Sequence, residues 1–234
     1  LYTSGSNLTR ISNSFTNTVV AANGASSSPV ISQDGQIVAF ESAATNLVLN
    51  DTNGANDIFV FDRSNSQITR VSVRSNGTQG DGASSEPALS SDGRFVAFVS
   101  AAANLDSVRA DTNGYSDIFV HDRDTSSTVR ISIRLDFEAN AASSAPVVYG
   151  HGASDFYVVF ASRASNLLAT ADSNNASDIF FYDSDGGTIE RLSVRSNGHE
   201  GNGDSSAPDM SSDGRYIVFK SSASDLVSSD TNGL

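Results

Sequence analysis

Apolar and polar positions alternate in short bursts along this chain. Residues 94–100 (RFVAFVS) are a β-rich run, and residues 128–134 (TVRISIR) alternate apolar with polar side chains. Residues 117–123 (DIFVHDR) form a third burst, and residues 86–91 (EPALSS) a shorter one with an apolar centre. Runs of this length and period predict strands. SDG at 91–93 reads as a tight turn, because its glycine is free to take positive φ. No segment carries a convincing helical period with caps.

This four-strand unit recurs. The prolines are Pro29, Pro87, Pro146 and Pro208, one per unit. An arginine precedes an alternating run at Arg10, Arg70, Arg130 and Arg191, and a phenylalanine closes another run at Phe40, Phe98, Phe160 and Phe219. An aspartate opens a polar loop at Asp51, Asp111, Asp172 and Asp230. All four series step by about 60 residues, and a fixed period decides the architecture. The expectation is an all-β chain, a β-propeller of four-stranded antiparallel blades. Its repeats are read at 1–54, 55–114, 115–175 and 176–234, as a single domain over 1–234 or part of a larger one. A stacked β-solenoid is the alternative, but solenoid coils are shorter and lack hairpins of the SDG type. The third unit departs: VVYGHGASDFYVVF (147–160) replaces the QDG or SDG turn and predicts a longer first hairpin.

SSDGRFVAFVS (90–100) followed by DIFVHDRDTSSTVRISI (117–133) resembles the TolB-like propeller repeat. That pattern runs proline, Ser-x-Asp-Gly, an apolar strand, a strand ending in Asp, then a last strand. The resemblance covers all four units and implies a propeller. It does not imply one function, since the family includes periplasmic, secreted and enzyme-attached propellers.

A compact blade takes about 40–45 residues. Much of the surplus here lies between the second and third strands, in ESAATNLVLNDTNGAND (41–57) and its copies. Asp51, Asn53 and Asp57 offer hard oxygens at positions 1, 3 and 7 of a tight loop bent at Gly54. The copies are Asp111, Asn113 and Asp117, then Asp172, Asn174 and Asp178, then Asp230 and Asn232. The spacing resembles the later part of a DxDxDGxxD loop, as in integrin-type propellers and the EF-hand, and makes calcium the expected cofactor. The first carboxylate of that pattern is replaced by Leu49, Arg109 and Thr170, so Asn46, Asn104, Asn166 and Asp225 are candidates to fill the shell. The alternative is a metal-free turn in which Asp and Asn bond their own backbone. The recurrent arginines are expected to pair with strand-end carboxylates such as Asp62, Asp122 and Asp183.

The net charge of -13, with Lys220 the single lysine, argues against a nucleic-acid partner. The absence of cysteine excludes disulfides and thiolate metal sites. No apolar run is long enough to span a membrane, so no membrane insertion is expected. GxSxG, HExxH and phosphate-loop motifs are absent, and His121, His151 and His199 share no motif. The expected function is a non-catalytic, calcium-stabilised propeller, secreted or periplasmic, acting as a binding or assembly scaffold for a protein partner or for itself. One alternative is the propeller of a hydrolase whose catalytic domain lies outside this chain. Another is a calcium-dependent carbohydrate-binding module, for which Tyr115 is the one aromatic near the loops. Aligning the units leaves no equivalent of NDIFV in the last one. That suggests a chain cut from a larger ring, or a strand supplied by a neighbouring subunit.

Overall fold

The computed structural model describes residues 8–230 except 16, 136, 171 and 229. A short hairpin, β1 (Asn13–Ser14) and β2 (Asn17–Ala21), leads into the first sheet. That sheet holds β3 (Ser26–Ile31), β4 (Ile37–Ser42), β5 (Asp57–Asp62) and β6 (Gln67–Arg70), antiparallel and in chain order. The second repeats it with β7 (Ser84–Leu89), β8 (Phe95–Ser100), β9 (Asp117–Asp122) and β10 (Ser127–Arg130). After the hairpin β11 (Ile133–Arg134) and β12 (Phe137–Glu138) comes a third, with β13 (Ser143–His151), β14 (Asp155–Ser162), β15 (Asp178–Asp183) and β16 (Thr188–Arg191). The pair β17 (Ser205–Met210) and β18 (Ile217–Ser221) is the described part of a fourth. These sheets are propeller blades, stacked face to face in an open series. Each four-stranded sheet straddles a boundary between two sequence units, because those boundaries fall within the DTNG loops and their copy. Among the described residues no helix is long and apolar enough to cross a membrane.

The second strands of the first three blades are apolar through their middles, and those apolar residues are buried on both faces. In β8, Phe95, Ala97 and Val99 pack toward Val148, Phe156, Val158 and Phe160 of the third blade. The alternate residues Val96 and Phe98 pack toward Ile37, Ala39, Ile58 and Val60 of the first. Val159, Ala161 and Ile179 of the third blade then meet Met210, Ile217 and Phe219 of the fourth. Period-two geometry thus turns one apolar run into two interfaces.

The recurrent prolines each lie within a bulge. Ser28, Glu86, Ala145 and Ala207 have φ of 50, 52, 51 and 48°, and pairing of the first strand with the second skips there in every blade. Proline is tolerated because the first strand is an edge and the bulge suspends the ladder. The serine ending each second strand meets a serine opening the first, Ser84 to Ser100 at 2.9 Å in the second blade and Ser143 to Ser162 at 3.0 Å in the third. The third blade has the longer first hairpin, paired out to His151 and Asp155 around Gly152 at φ 64°.

Candidate functional site

The turn between the third and fourth strands fixes the centre of each DTNG loop. In the first blade Asp62 pairs with Gln67, so Phe59 pairs with Arg70. Arg70 therefore leaves β6 near the start of β5, where Asp57 stands, and not at the end that carries Asp62. Its Nη1 lies 3.3 Å from Asp51 Oδ1 and 3.3 Å from Asp57 Oδ2. Arg130 repeats this at 3.0 Å from Asp117 and 3.6 Å from Asp111, with Glu138 at 3.6 Å and Asp106 at 3.5 Å. Arg191 lies 3.5 Å from Asp172, 3.3 Å from Asp178 and 2.7 Å from Glu200. The Arg130 side chain is 0% exposed.

The second aspartate of each loop is buried and held from behind. Ser72, Ser132 and Ser193 donate to Asp57, Asp117 and Asp178 at 2.6, 2.6 and 2.5 Å. The same hydroxyl oxygens accept the backbone N–H of Ile58, Ile118 and Ile179. Burial pushes all three carboxyls upward, against the serine hydrogen bonds and the arginine charge. Burial, with the Asp178 charge adding to it against Arg191, also raises Asp172 to about 6. In Glu200 burial acts in the same sense, but the Ser173 hydroxyl and Arg191 outweigh it and hold the group at about 2.

The asparagines do something else. Asn53 Oδ1 accepts from Ala55 N at 3.0 Å, and its Nδ2 donates to Gly80 O at 2.9 Å. Asn113 and Asn174 repeat both bonds, to Tyr115 N and Ala139 O, and to Ala176 N and Gly201 O. These oxygens close Asx-turns. A further member comes from the linker: Gln79, Glu138 or Glu200. Each accepts from the backbone N–H and hydroxyl of the residue after the first aspartate, which is Thr52, Thr112 or Ser173. That is why this loop position carries a hydroxyl. Asp230 ends the described chain, and Asn232 lies outside the described residues.

Asn46, Asn104, Asn166 and Asp225, candidates for completing a metal shell, instead hold the incoming linker. Asn140 N–H donates to Asn166 Oδ1 at 3.0 Å, and Ser165 N–H donates back to Asn140 Oδ1 at 2.8 Å. Asn23 with Asn46, Asp81 with Asn104 and Asn202 with Asp225 form the same latch. Asn104 Nδ2 also donates to Gln79 O, and Asn166 Nδ2 to Glu138 O. One linker residue thus bonds the blade before it through its side chain and the blade after it through its carbonyl.

Two of the strand-end carboxylates expected to hold the recurrent arginines have other cations. Asp122 takes Arg94 through two contacts of 2.8 Å, and Asp62 takes Arg123 of the next blade at 3.5 Å. Asp183 accepts the N–H of Asp185 at 2.9 Å.

Calcium takes about six to eight oxygens. Here the carboxylates surround a guanidinium, and the asparagine oxygens face backbone N–H groups. Among the described residues no set of three or more acidic or histidine side chains is arranged to hold an ion. These residues do not fit calcium while the arginines stay in place.

Other features of the loop end are open. A groove of about 780 Å³ runs beside Arg191, lined by Leu168, Ile189, Asn197 and His199. His121, His151 and His199 lie on β9, on β13 and in a linker, so they compose no shared centre.

No family model and no curated protein matches the sequence. Solved structures with similar blades include TolB from Acinetobacter baumannii, 18% identical, covering 89% of this chain and 43% of that one with a TM-score of 0.46. A putative TolB from Agrobacterium tumefaciens is 22% identical, covering 82% and 56%, with a TM-score of 0.46. An oligogalacturonate lyase in complex with manganese is 12% identical, covering 83% and 46%, with a TM-score of 0.48. This chain spans about half the length of the two TolB structures.

Proposed function

We propose that this chain is a non-catalytic propeller scaffold, secreted or periplasmic, that binds a protein partner or a second copy of itself through the end of the blades carrying the DTNG loops. The observation that carries this reading is a group of exposed apolar side chains at one end of the blades. The loops between second and third strands, and the linkers between blades, leave the sheets at one end. Leu49, Val108, Tyr115 and Val227 stand exposed on those loops, and Leu135 and Phe137 on the linker before the third blade. The backbones beneath them are pinned by buried ion pairs and by the latches. Apolar anchors on a pre-organised polar surface lose little freedom on binding.

A photoreactive residue placed at 108 or 137, and separately at 126 in a turn at the opposite end, tests this in the cells that make the protein. Defined cross-linked species from the first two positions alone are expected. Equal yields from position 126, or none from 108 and 137, would refute it. Sedimentation over a range of concentrations separates a second copy from a different partner.

A further inference from the structure

We propose that Arg70, Arg130 and Arg191 are built-in cations, occupying the place that a divalent ion takes in loops of this spacing, so that the DTNG loops are clamped without metal. This inference does not depend on the partner reading above.

Three observations converge on it. The first is position. Strand register delivers each guanidinium between the first and second aspartates of its own loop, in three blades independently. The second is what surrounds it. Arg130 lies within 3.6 Å of Asp106, Asp111, Asp117 and Glu138, which is more negative charge than a structural ion pair requires. The third is what the site tolerates. Nε of Arg70, Arg130 and Arg191 is buried and makes no hydrogen bond within the protein. An unmet buried donor is unfavourable. Its repetition indicates that the guanidinium is held for its charge more than for its donor geometry. A divalent cation would have to displace a fully buried arginine or settle against its positive charge. The asparagine oxygens it would need already close the turns.

Two consequences separate this device from a metal clamp. The wild-type chain should ignore calcium. Removing one guanidinium should leave a buried set of carboxylates with no cation, and so create a dependence on calcium that the protein does not otherwise have. Thermal unfolding of the full chain in millimolar calcium and in chelator reads both. Wild-type melting temperatures should agree within about 1 °C. Arg130→Ala should melt about 10 °C lower in chelator, since breaking a buried pair by removing one partner is strongly destabilising. Calcium should restore part of that loss, and Arg130→Lys should keep part of it without calcium. If Arg130→Ala does not fold, Arg70→Ala carries the same test at a loop where Gln79 replaces the third acid. A saturable rise of the wild-type melting temperature with calcium, lost in Asp117→Ala, would overturn the proposal. An arginine variant that calcium does not stabilise would also overturn it.

Discussion

Acid should weaken this protein through one histidine. His121 is buried on β9, with Nδ1 2.9 Å from Thr128 Oγ1. The Thr128 hydroxyl has one hydrogen and lies 2.5 Å from Val73 O, in the linker from the previous blade. The imidazole must therefore donate from Nδ1. Burial lowers its pKa from 6.5 to about 4; Asp122 opposes the shift and Arg123 adds to it. Because the folded-state value is depressed, the unfolded chain binds the proton more readily. Stability is then whole above about pH 6.5, declines as the pH falls, and reaches its full loss below about pH 4. Integrating between the two values gives a loss of about 2 kcal/mol at pH 5 and about 3 kcal/mol at pH 4. Carboxylates titrate in the same window, so the informative quantity is the difference from His121→Phe. That variant installs the residue found at this register in the first blade, Phe61. Urea midpoints at pH 8, 6 and 5 should show wild type losing about 2 kcal/mol more than the variant by pH 5. Parallel pH profiles for the two proteins would refute the argument.

Other perturbations have equally specific outcomes. Gly93→Ala should lower stability by about 1–3 kcal/mol in urea unfolding, because φ is +76° and a Cβ would stand 2.6 Å from Ile37 Cγ1. Ser132→Ala removes a 2.6 Å donor from buried Asp117 and an acceptor from Ile118 N–H, and should cost about 1–3 kcal/mol by the same measurement. Asn140→Ala opens the latch to Ser165 and Asn166 and should speed hydrogen exchange at the Ser165 amide, with a global loss of only about 1 kcal/mol because the latch is exposed.

The blade architecture was legible because its determinants are local and repeated. Apolar runs two faces deep, SDG turns and evenly spaced prolines each state a strand or its end. The geometry of the loop centre was only half legible. DTNG identified the aspartates and Gly54, but three residues with hard oxygens in a row suit both a metal and a self-bonded turn. The arginine settled on a partner that its strand register already implied. A four-residue turn at 63–66 sets Arg70 opposite Phe59, two residues from Asp57, and counting that register points away from Asp62. The linker side chains had no such signal. Gln79 differs in type from Glu138 and Glu200, and the second linker is one residue shorter between its arginine and this residue. Only three-dimensional pairing shows them to be equivalent. The hydroxyl at Thr52, Thr112 and Ser173 was a visible constant whose reason lies in those same linker side chains.

The double duty of the linker residue bears on how such an array can be divided. Gln79 serves the loop of one blade with its side chain and the latch of the next with its carbonyl, so neither blade owns its complete set of bonds. Stability then resides in the seams, as in a one-dimensional chain of coupled units. An excised blade would be missing part of its own wiring even with its core sequence intact. Amide exchange should accordingly be slowest in the middle of the series and quicken toward either end, following the number of seams that remain intact and not the quality of any single sheet.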